Sequence, residues 1–260
     1  MMLIQLCDNC QPLTIRGIFR IAPERLARNQ STERWFSRMN FDQARFNMIE
    51  SQIRTWDVLD QTVLDAVAAV KREDFVLEQY RQLAFADMQI PLRIDPDDPG
   101  EVMLTPKLEA RMLQELALSP TDRVLEVGTG SGYVTALLSR LAGHVVSVEI
   151  VPGFVELAQQ RLQSLGAGNI TLEAGDAANG WEQGAPYDAI LLTGSVPAMP
   201  PAFTNQLKPG GRVLAVTGEE PAMTGTLITR VAGSNYSTRS LFETCIPPLR
   251  NVPRTTRFVF

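Results

Sequence analysis

Histidine and cysteine are both scarce in this chain of 260 residues, with one of the first and three of the second. The single His144 falls in an expected helix-to-strand turn and reads as a surface residue. Three cysteines in a chain this long do not form a disulfide framework, which points to a reducing compartment. Cys7 and Cys10 form a C-x-x-C pair, but a zinc site needs two more ligands and offers only distant Cys245 and His144, so no metal is expected. No apolar run approaches the roughly 18 residues that cross a bilayer. The apolar start Met1 to Leu6 is cut by Cys7-Asp8-Asn9 with no basic segment before it, unlike a secretion signal. Positive charge is also short: 24 Lys and Arg stand against 29 Asp and Glu, a net of −5, which is not the footprint of a nucleic-acid binder. These absences leave an ordinary cytoplasmic globular protein, monomeric or weakly oligomeric, with neither membrane nor nucleic acid among its partners.

What is present centres on residues 123–149. A short apolar strand, Val124 to Val127, runs into Gly128-Thr129-Gly130-Ser131-Gly132, then a helical stretch, Tyr133 to Leu141, then a second strand, Val145 to Val148, ending on Glu149. Strand, glycine turn, helix, strand and acid make up the first βαβ unit of a nucleotide-binding sheet. The glycines allow close approach of backbone to ligand, and the helix start presents free N–H groups. Glu149, 21 residues after Gly128, is placed to accept from both ribose hydroxyls. Tyr133 stands where a dinucleotide fingerprint needs a small residue, which disfavours a pyrophosphate and a nicotinamide cofactor. With the acid Glu126 on the preceding strand, the pattern resembles motif I of S-adenosylmethionine-dependent methyltransferases.

Around this unit the chain divides into three parts. Residues 1–38 carry six arginines against three acids, +3 beside −8 in the remainder, and read as a flexible extension, with Met39 a candidate start of the folded protein. Residues 39–118 form an N-terminal helical, substrate-side part. It is helical from Phe41 to Tyr80 with a break at Asp57 to Asp60, has a loop from Arg93 to Glu101, and ends in a helix from Lys107 to Leu116. Residues 119–260 form the cofactor-binding domain. Its further helix is expected at Phe154 to Leu165 and its strands at Ile170 to Glu173, Tyr187 to Leu192 and Arg212 to Val216, followed by two tail strands at Thr226 to Val231 and Ser240 to Ile246. Such alternation implies an α/β fold, a doubly wound, mostly parallel sheet with an antiparallel pair at the C-terminus. At the carboxyl edge fall the glycine turn, Glu149, Asp176-Ala177 and Thr193-Gly194. Asp176 is placed to accept from an adenine amino group, and Asp188 is a candidate brace for the glycine loop.

Residues 41 to about 252 resemble protein-L-isoaspartate O-methyltransferases. The stretches that carry the likeness are RVLEVGTGSGYVTALLSRL at 123–141, GDAANGWEQGAPYDAILLT at 175–193 and QLKPGGRVLAVTG at 206–218, with VAAVKREDFV at 67–76 and CIPPL at 245–249. The resemblance implies methyl transfer from S-adenosylmethionine to the free carboxylate of L-isoaspartyl residues in damaged proteins and peptides. It also implies a cofactor site made of Glu126, Gly128, Thr129, Gly130, Ser131, Gly132, Glu149, Asp176, Ala177 and Thr193. A carboxylate with a pKa near ~3.9 is ionised at pH 7 and needs no general base. The chain departs from the family at Gly100-Glu101-Val102-Met103-Leu104-Thr105-Pro106, where the family has a segment like Gly-Gln-Thr-Ile-Ser-x-Pro: Leu104 takes the place of the serine that meets the substrate carboxylate. Thr105 is then the candidate hydroxyl, or else simply the cap before Pro106. Two alternatives stay open, a related methyltransferase with a different acceptor and a module that binds S-adenosylmethionine without turnover.

Overall fold

Strands covered on both faces read as continuous apolar runs, because neither side meets water. β3 (Arg123–Val127), β4 (His144–Glu149) and β6 (Tyr187–Leu192) are of this kind, buried along almost their whole length. The computed structural model describes residues 40–94 and 100–252. The expectations for residues 1–38, for Met39 and for the Cys7–Cys10 pair lie outside the described residues.

With β5 (Ile170–Ala174), β7 (Leu207–Glu219), β8 (Ala222–Ala232) and β9 (Asn235–Thr244), these strands form a seven-stranded sheet in the order β5-β4-β3-β6-β7-β8-β9. Pairing is parallel from β5 to β7 and antiparallel for β7–β8 and β8–β9. The chain runs outward from β3 through β4 to β5 and then returns to β6, so the direction of winding switches between β3 and β6. Ligands bind at such a switch, past the carboxyl ends of the strands. Lys208 to Gly211, ahead of the expected strand start at Arg212, lie within β7 as an irregularity: Tyr187 pairs with Leu207, but Ala189 pairs with Arg212.

Strand parity sends alternate residues into two cores. Val124, Val145, Leu191 and Leu214 pack beneath helices α3 (Pro106–Leu116), α4 (Tyr133–Leu141) and α5 (Pro152–Ser164). Leu125, Val146, Ile190 and Val213 face the other way, where among the described residues only the five-residue α6 (Pro201–Asn205) is helical and Trp181, Met199 and Leu249 from loops complete the cover. The doubly wound sheet therefore has one helical face and one covered largely by loops.

The substrate-side part is helical but broken. α1 (Phe41–Met48) starts at Asn40, whose side chain accepts from Gln43 N, and continues through a wider π-type turn, Ile49–Ile53, and a 3₁₀ turn, Arg54–Trp56. Asp57 ends the run in the left-handed conformation at φ 59°, and Asp60 caps α2 (Gln61–Ala69) by accepting from Thr62 N and Val63 N. Arg72–Asp74 and Glu78–Phe85 are 3₁₀ turns. A two-residue hairpin, β1 (Ile90–Pro91) with β2 (Val102–Met103), is too short to leave a periodic signal in the sequence. Contacts gather the described residues from Asn40 onward into one compact unit.

Candidate functional site

At the switch point, Gly128 adopts φ 97° and Gly130 φ 51°, conformations that glycine takes without the Cβ penalty. The turn is held from both sides. Thr193, just past the end of β6, donates from Oγ1 to Gly128 O at 2.7 Å and to Val127 O at 3.0 Å. Glu149, at the end of β4, accepts from Gly130 N at 2.8 Å through Oε2 and from Val151 N at 3.0 Å through Oε1. Burial pushes the Glu149 carboxyl above its ordinary range, and these backbone donors pull it back. Each of its oxygens keeps a second lone pair for a ligand hydroxyl.

Gly128, Gly130, Glu149, Asp176, Ala177 and Thr193 line one pocket. Glu126, Thr129, Ser131 and Gly132, expected beside them, do not line it. Parity turns Glu126 away from the pocket toward α4, where Oε2 accepts from Thr135 Oγ1 at 2.5 Å and Ser147 Oγ at 2.6 Å. Thr129 Oγ1 lies 2.6 Å from Ser147 Oγ, which links the glycine turn to this buried acid. Burial raises the Glu126 carboxyl to about 8, so it is largely protonated at neutral pH. Its other oxygen, Oε1, has no hydrogen-bond partner among the described residues. Ser131 Oγ accepts from Tyr133 N, and a Cβ at Gly132 would come within 3.1 Å of Ala158, so both serve the packing of α4 against α5. Asp188 lies at the opposite edge of the sheet, accepting from Arg123 N and Lys208 Nζ, each at 2.7 Å. It ties strand beginnings together and does not brace the glycine turn. His144 is the first residue of β4, not part of a turn, with Nε2 3.0 Å from Thr171 Oγ1.

The outer wall of the pocket comes from two distant segments. The β1–β2 hairpin brings Leu92, Glu101, Val102 and Leu104 to it. Thr105 is not in the lining; its backbone opens α3 at the N-cap position, with no hydrogen bond from its side chain to the helix. Leu104 thus presents an apolar side chain where a hydroxyl was sought one residue later. The C-terminal strap, residues 246–252, crosses the same pocket and is pinned to Ser195, which donates from N to Pro247 O and accepts from Leu249 N, each at 2.9 Å. Beyond that pin Asn251 Nδ2 donates to Asp176 Oδ2 at 2.8 Å. Arg250 Nε donates to Glu101 Oε1 at 2.6 Å. The sequence marked residues 245–249 but carried no signal for Arg250 or Asn251, because their partners lie far away along the chain.

A buried cation carries the wall into the substrate-side part. Arg72 is fully buried, ion-paired with Glu109 of α3, and donates from Nη2 to Leu104 O at 2.5 Å. Its guanidinium lies 4.8 Å from the centre of the Tyr133 ring, and Phe75 meets that ring edge-on at 5.5 Å. Burial pushes both the Tyr133 phenol and the Glu109 carboxyl upward, against the pull of Arg72. One arginine thereby joins three segments: residues 72–76, the start of the glycine helix, and the wall residue Leu104. Tyr133 fills the interface with the substrate-side part, which gives a packing reason for a bulky residue at that point in the motif. Among the described residues no group of three or more His, Cys, Asp or Glu is placed to hold a metal ion.

Comparison with known proteins agrees with this arrangement. The family profile described as protein-L-isoaspartate(D-aspartate) O-methyltransferase matches residues 43–247. A protein-L-isoaspartate O-methyltransferase of Protochlamydia amoebophila is 42% identical over 184 residues, covering 71% of this chain and 84% of its own. One of Anaeromyxobacter dehalogenans is 41% identical over 198 residues, covering 75% and 92%. A solved structure named protein-L-isoaspartate O-methyltransferase superposes with a TM-score of 0.70 at 26% identity, over 79% of this chain and 65% of that one. A Plasmodium falciparum structure in complex with S-adenosyl-L-homocysteine superposes with a TM-score of 0.66 at 19% identity, a likeness of fold, over 82% of this chain and 99% of that one.

Proposed function

The chain belongs to the protein-L-isoaspartate O-methyltransferase family, and we propose that it holds S-adenosylmethionine against the Gly128–Gly130 turn and presents the acceptor carboxylate from the side of Glu101 and Arg250. The reaction is methyl transfer from S-adenosylmethionine to the free carboxylate of an L-isoaspartyl residue in a damaged protein or peptide, a repair step. A cytoplasmic setting belongs to the same reading, supported by the low cysteine content; among the described residues no helix is long and apolar enough to cross a membrane.

The fit of the pocket to the cofactor rests on its backbone cradle. A Cβ at Gly128 would stand 2.3 Å from Thr193 Oγ1, so this residue must lack a side chain, and its surface toward the pocket is bare peptide. In this reading the turn holds the methionine end, Glu149 the ribose hydroxyls, and Asp176 with Ala177 the adenine. Glu126, Thr129, Ser131 and Gly132 support that cradle from beneath. The bound cofactor supplies an activated methyl group on a sulfonium centre. The acceptor carboxylate forms the new O–C bond as the C–S bond breaks, leaving a methyl ester and S-adenosylhomocysteine, with no proton to move. The chain's contribution is therefore alignment and exclusion of water. That suits a pocket with no histidine and with apolar Leu104, Val102 and Leu92 on its outer wall.

The single observation that carries the reading is one pocket, at the switch point, shared by the glycine turn, Glu149, Asp176 and the segment that replaces the family's serine. The test is transfer of labelled methyl from S-adenosylmethionine to an isoaspartyl peptide beside its normal aspartyl twin. Labelling of the isoaspartyl form alone is expected. Cofactor binding with neither peptide labelled would move the search to another acceptor, the outcome that Leu104 favours.

A further inference from the structure

With Leu104 in the serine's place and Thr105 outside the lining, the wall of the pocket offers no side-chain hydroxyl from that segment to an acceptor carboxylate. The other charges at the pocket are unfavourable to an anion, since Glu101, Glu149 and Asp176 all line it. Arg250 is the one cationic lining residue among those described. It also lines the adjoining groove formed with Ser195, Gly218, Met223 and Val252, so it stands where groove and cofactor pocket meet. In the structure its guanidinium is occupied by Glu101: Nε and Nη2 both converge on Oε1, at 2.6 and 2.5 Å. Both side chains are about one-third exposed, at 37% and 33%. An ion pair this open to solvent is weak and readily exchanged.

We propose that Arg250 is the residue that binds the acceptor carboxylate, and that Glu101 is an internal carboxylate which occupies Arg250 until a substrate carboxylate replaces it. The proposal rests on the isoaspartyl reading above. A peptide lying in the groove reaches Arg250 at the mouth of the cofactor pocket, and a planar guanidinium grips a carboxylate through two parallel N–H bonds, a geometry a hydroxyl does not offer. The charge that Glu101 brings, which on its own would repel the substrate, is balanced in the free protein by the group the substrate is to use. A latch and a competitor make opposite predictions for Glu101. If the pair only holds the strap in place, removing either partner weakens substrate binding. If Glu101 competes, removing its charge strengthens binding while removing Arg250 weakens it.

The experiment measures the dissociation constants of an isoaspartyl peptide and its carboxamide twin, with S-adenosylhomocysteine present, for the full-length chain and for Arg250→Ala, Arg250→Lys and Glu101→Gln. The unaltered protein is expected to prefer the carboxylate peptide, and Arg250→Ala to lose that preference, with at least about tenfold weaker binding of the carboxylate form. Arg250→Lys regains part of it, which keeps the comparison decisive if the alanine variant melts early. Glu101→Gln binds the carboxylate peptide several-fold more tightly. An unaltered protein without preference, an Arg250→Ala variant that keeps it, or a Glu101→Gln variant weakened like Arg250→Ala would each overturn the proposal. Methyl transfer by the unaltered protein is scored separately. Binding that depends on Arg250 without any transfer supports this inference while removing the repair reaction.

Discussion

Thr193 Oγ1 donates to the carbonyl of Gly128 at 2.7 Å and occupies the space a side chain on Gly128 would need, 2.3 Å from the position of its Cβ. The ends of two neighbouring parallel strands are thereby locked into one ligand-facing surface, and a methyl group inserted there has nowhere to go.

Gly128→Ala is therefore expected to weaken S-adenosylmethionine binding by at least about tenfold and to cost about 1–3 kcal/mol of stability, from overpacking and from a left-handed alanine. Thr193→Val, which removes only the hydrogen bonds, should cost about 1 kcal/mol. Calorimetric titration with the cofactor and urea unfolding read the two effects apart. Unchanged affinity in Gly128→Ala would remove the turn from the cofactor site.

Glu149→Ala and Asp176→Ala are each expected to weaken S-adenosylmethionine roughly tenfold or more, from the loss of hydrogen bonds to a charged group worth about 1.5–3 kcal/mol. Glu149 also carries Gly130 N and Val151 N, and Asp176 carries Ala178 N and Asn251 Nδ2, so both variants should in addition melt earlier. Equal affinities for both variants and the unaltered protein would disprove the assignment of the ribose and adenine ends.

The carboxyl of Glu126 rises on folding from about 4.5 to about 8. The folded state therefore binds the additional proton between those values. The stability tied to this proton is complete below about pH 4.5 and is lost as pH rises through about 8. Glu126→Gln, neutral throughout, should be relatively more stable than the unaltered chain at pH 8.5 than at pH 5, by about 1 kcal/mol or more. Urea midpoints across that range decide it; parallel pH curves for the two proteins would show that Glu126 is ionised in the fold.

Arg72→Leu leaves Glu109 buried without its partner, where burial favours the protonated acid, and frees the Leu104 carbonyl, for an expected loss of about 3–5 kcal/mol. Replacing both partners, Arg72→Met with Glu109→Leu, should recover much of that loss, because two apolar side chains avoid the desolvation that the ion pair requires. Denaturant unfolding measures both. A double variant no more stable than Arg72→Leu would show that Leu104 O and the Tyr133 ring are the partners that matter.

Much of the frame was legible in the residues because its signals are local. The helix Tyr133–Leu141 and the strand Tyr187–Leu192 have the bounds that periodicity and flanking glycines indicate. The switch point followed from the order of alternating strands and helices, and so did the meeting of Gly128, Glu149, Asp176 and Thr193. The interior of the substrate-side part was less legible. The π-type and 3₁₀ turns between Ile49 and Phe85 have no period of their own, and a hairpin two residues wide has none to show.

The sequence by itself determined the parallel sheet, its glycine turn and the family, all of which follow from runs of neighbouring residues shaped by steric and burial preferences along the chain. Only the tertiary structure decided which acid faces the ligand and which the core, since parity and pairing turn Glu126 toward Ser147 and Thr135 and leave Glu149 at the pocket. It alone joined Arg250 to Glu101, Asn251 to Asp176 and Arg72 to Glu109, pairs separated by 149, 75 and 37 positions. A charge specifies no partner along the sequence; it takes whichever opposite group the folded backbone brings within reach.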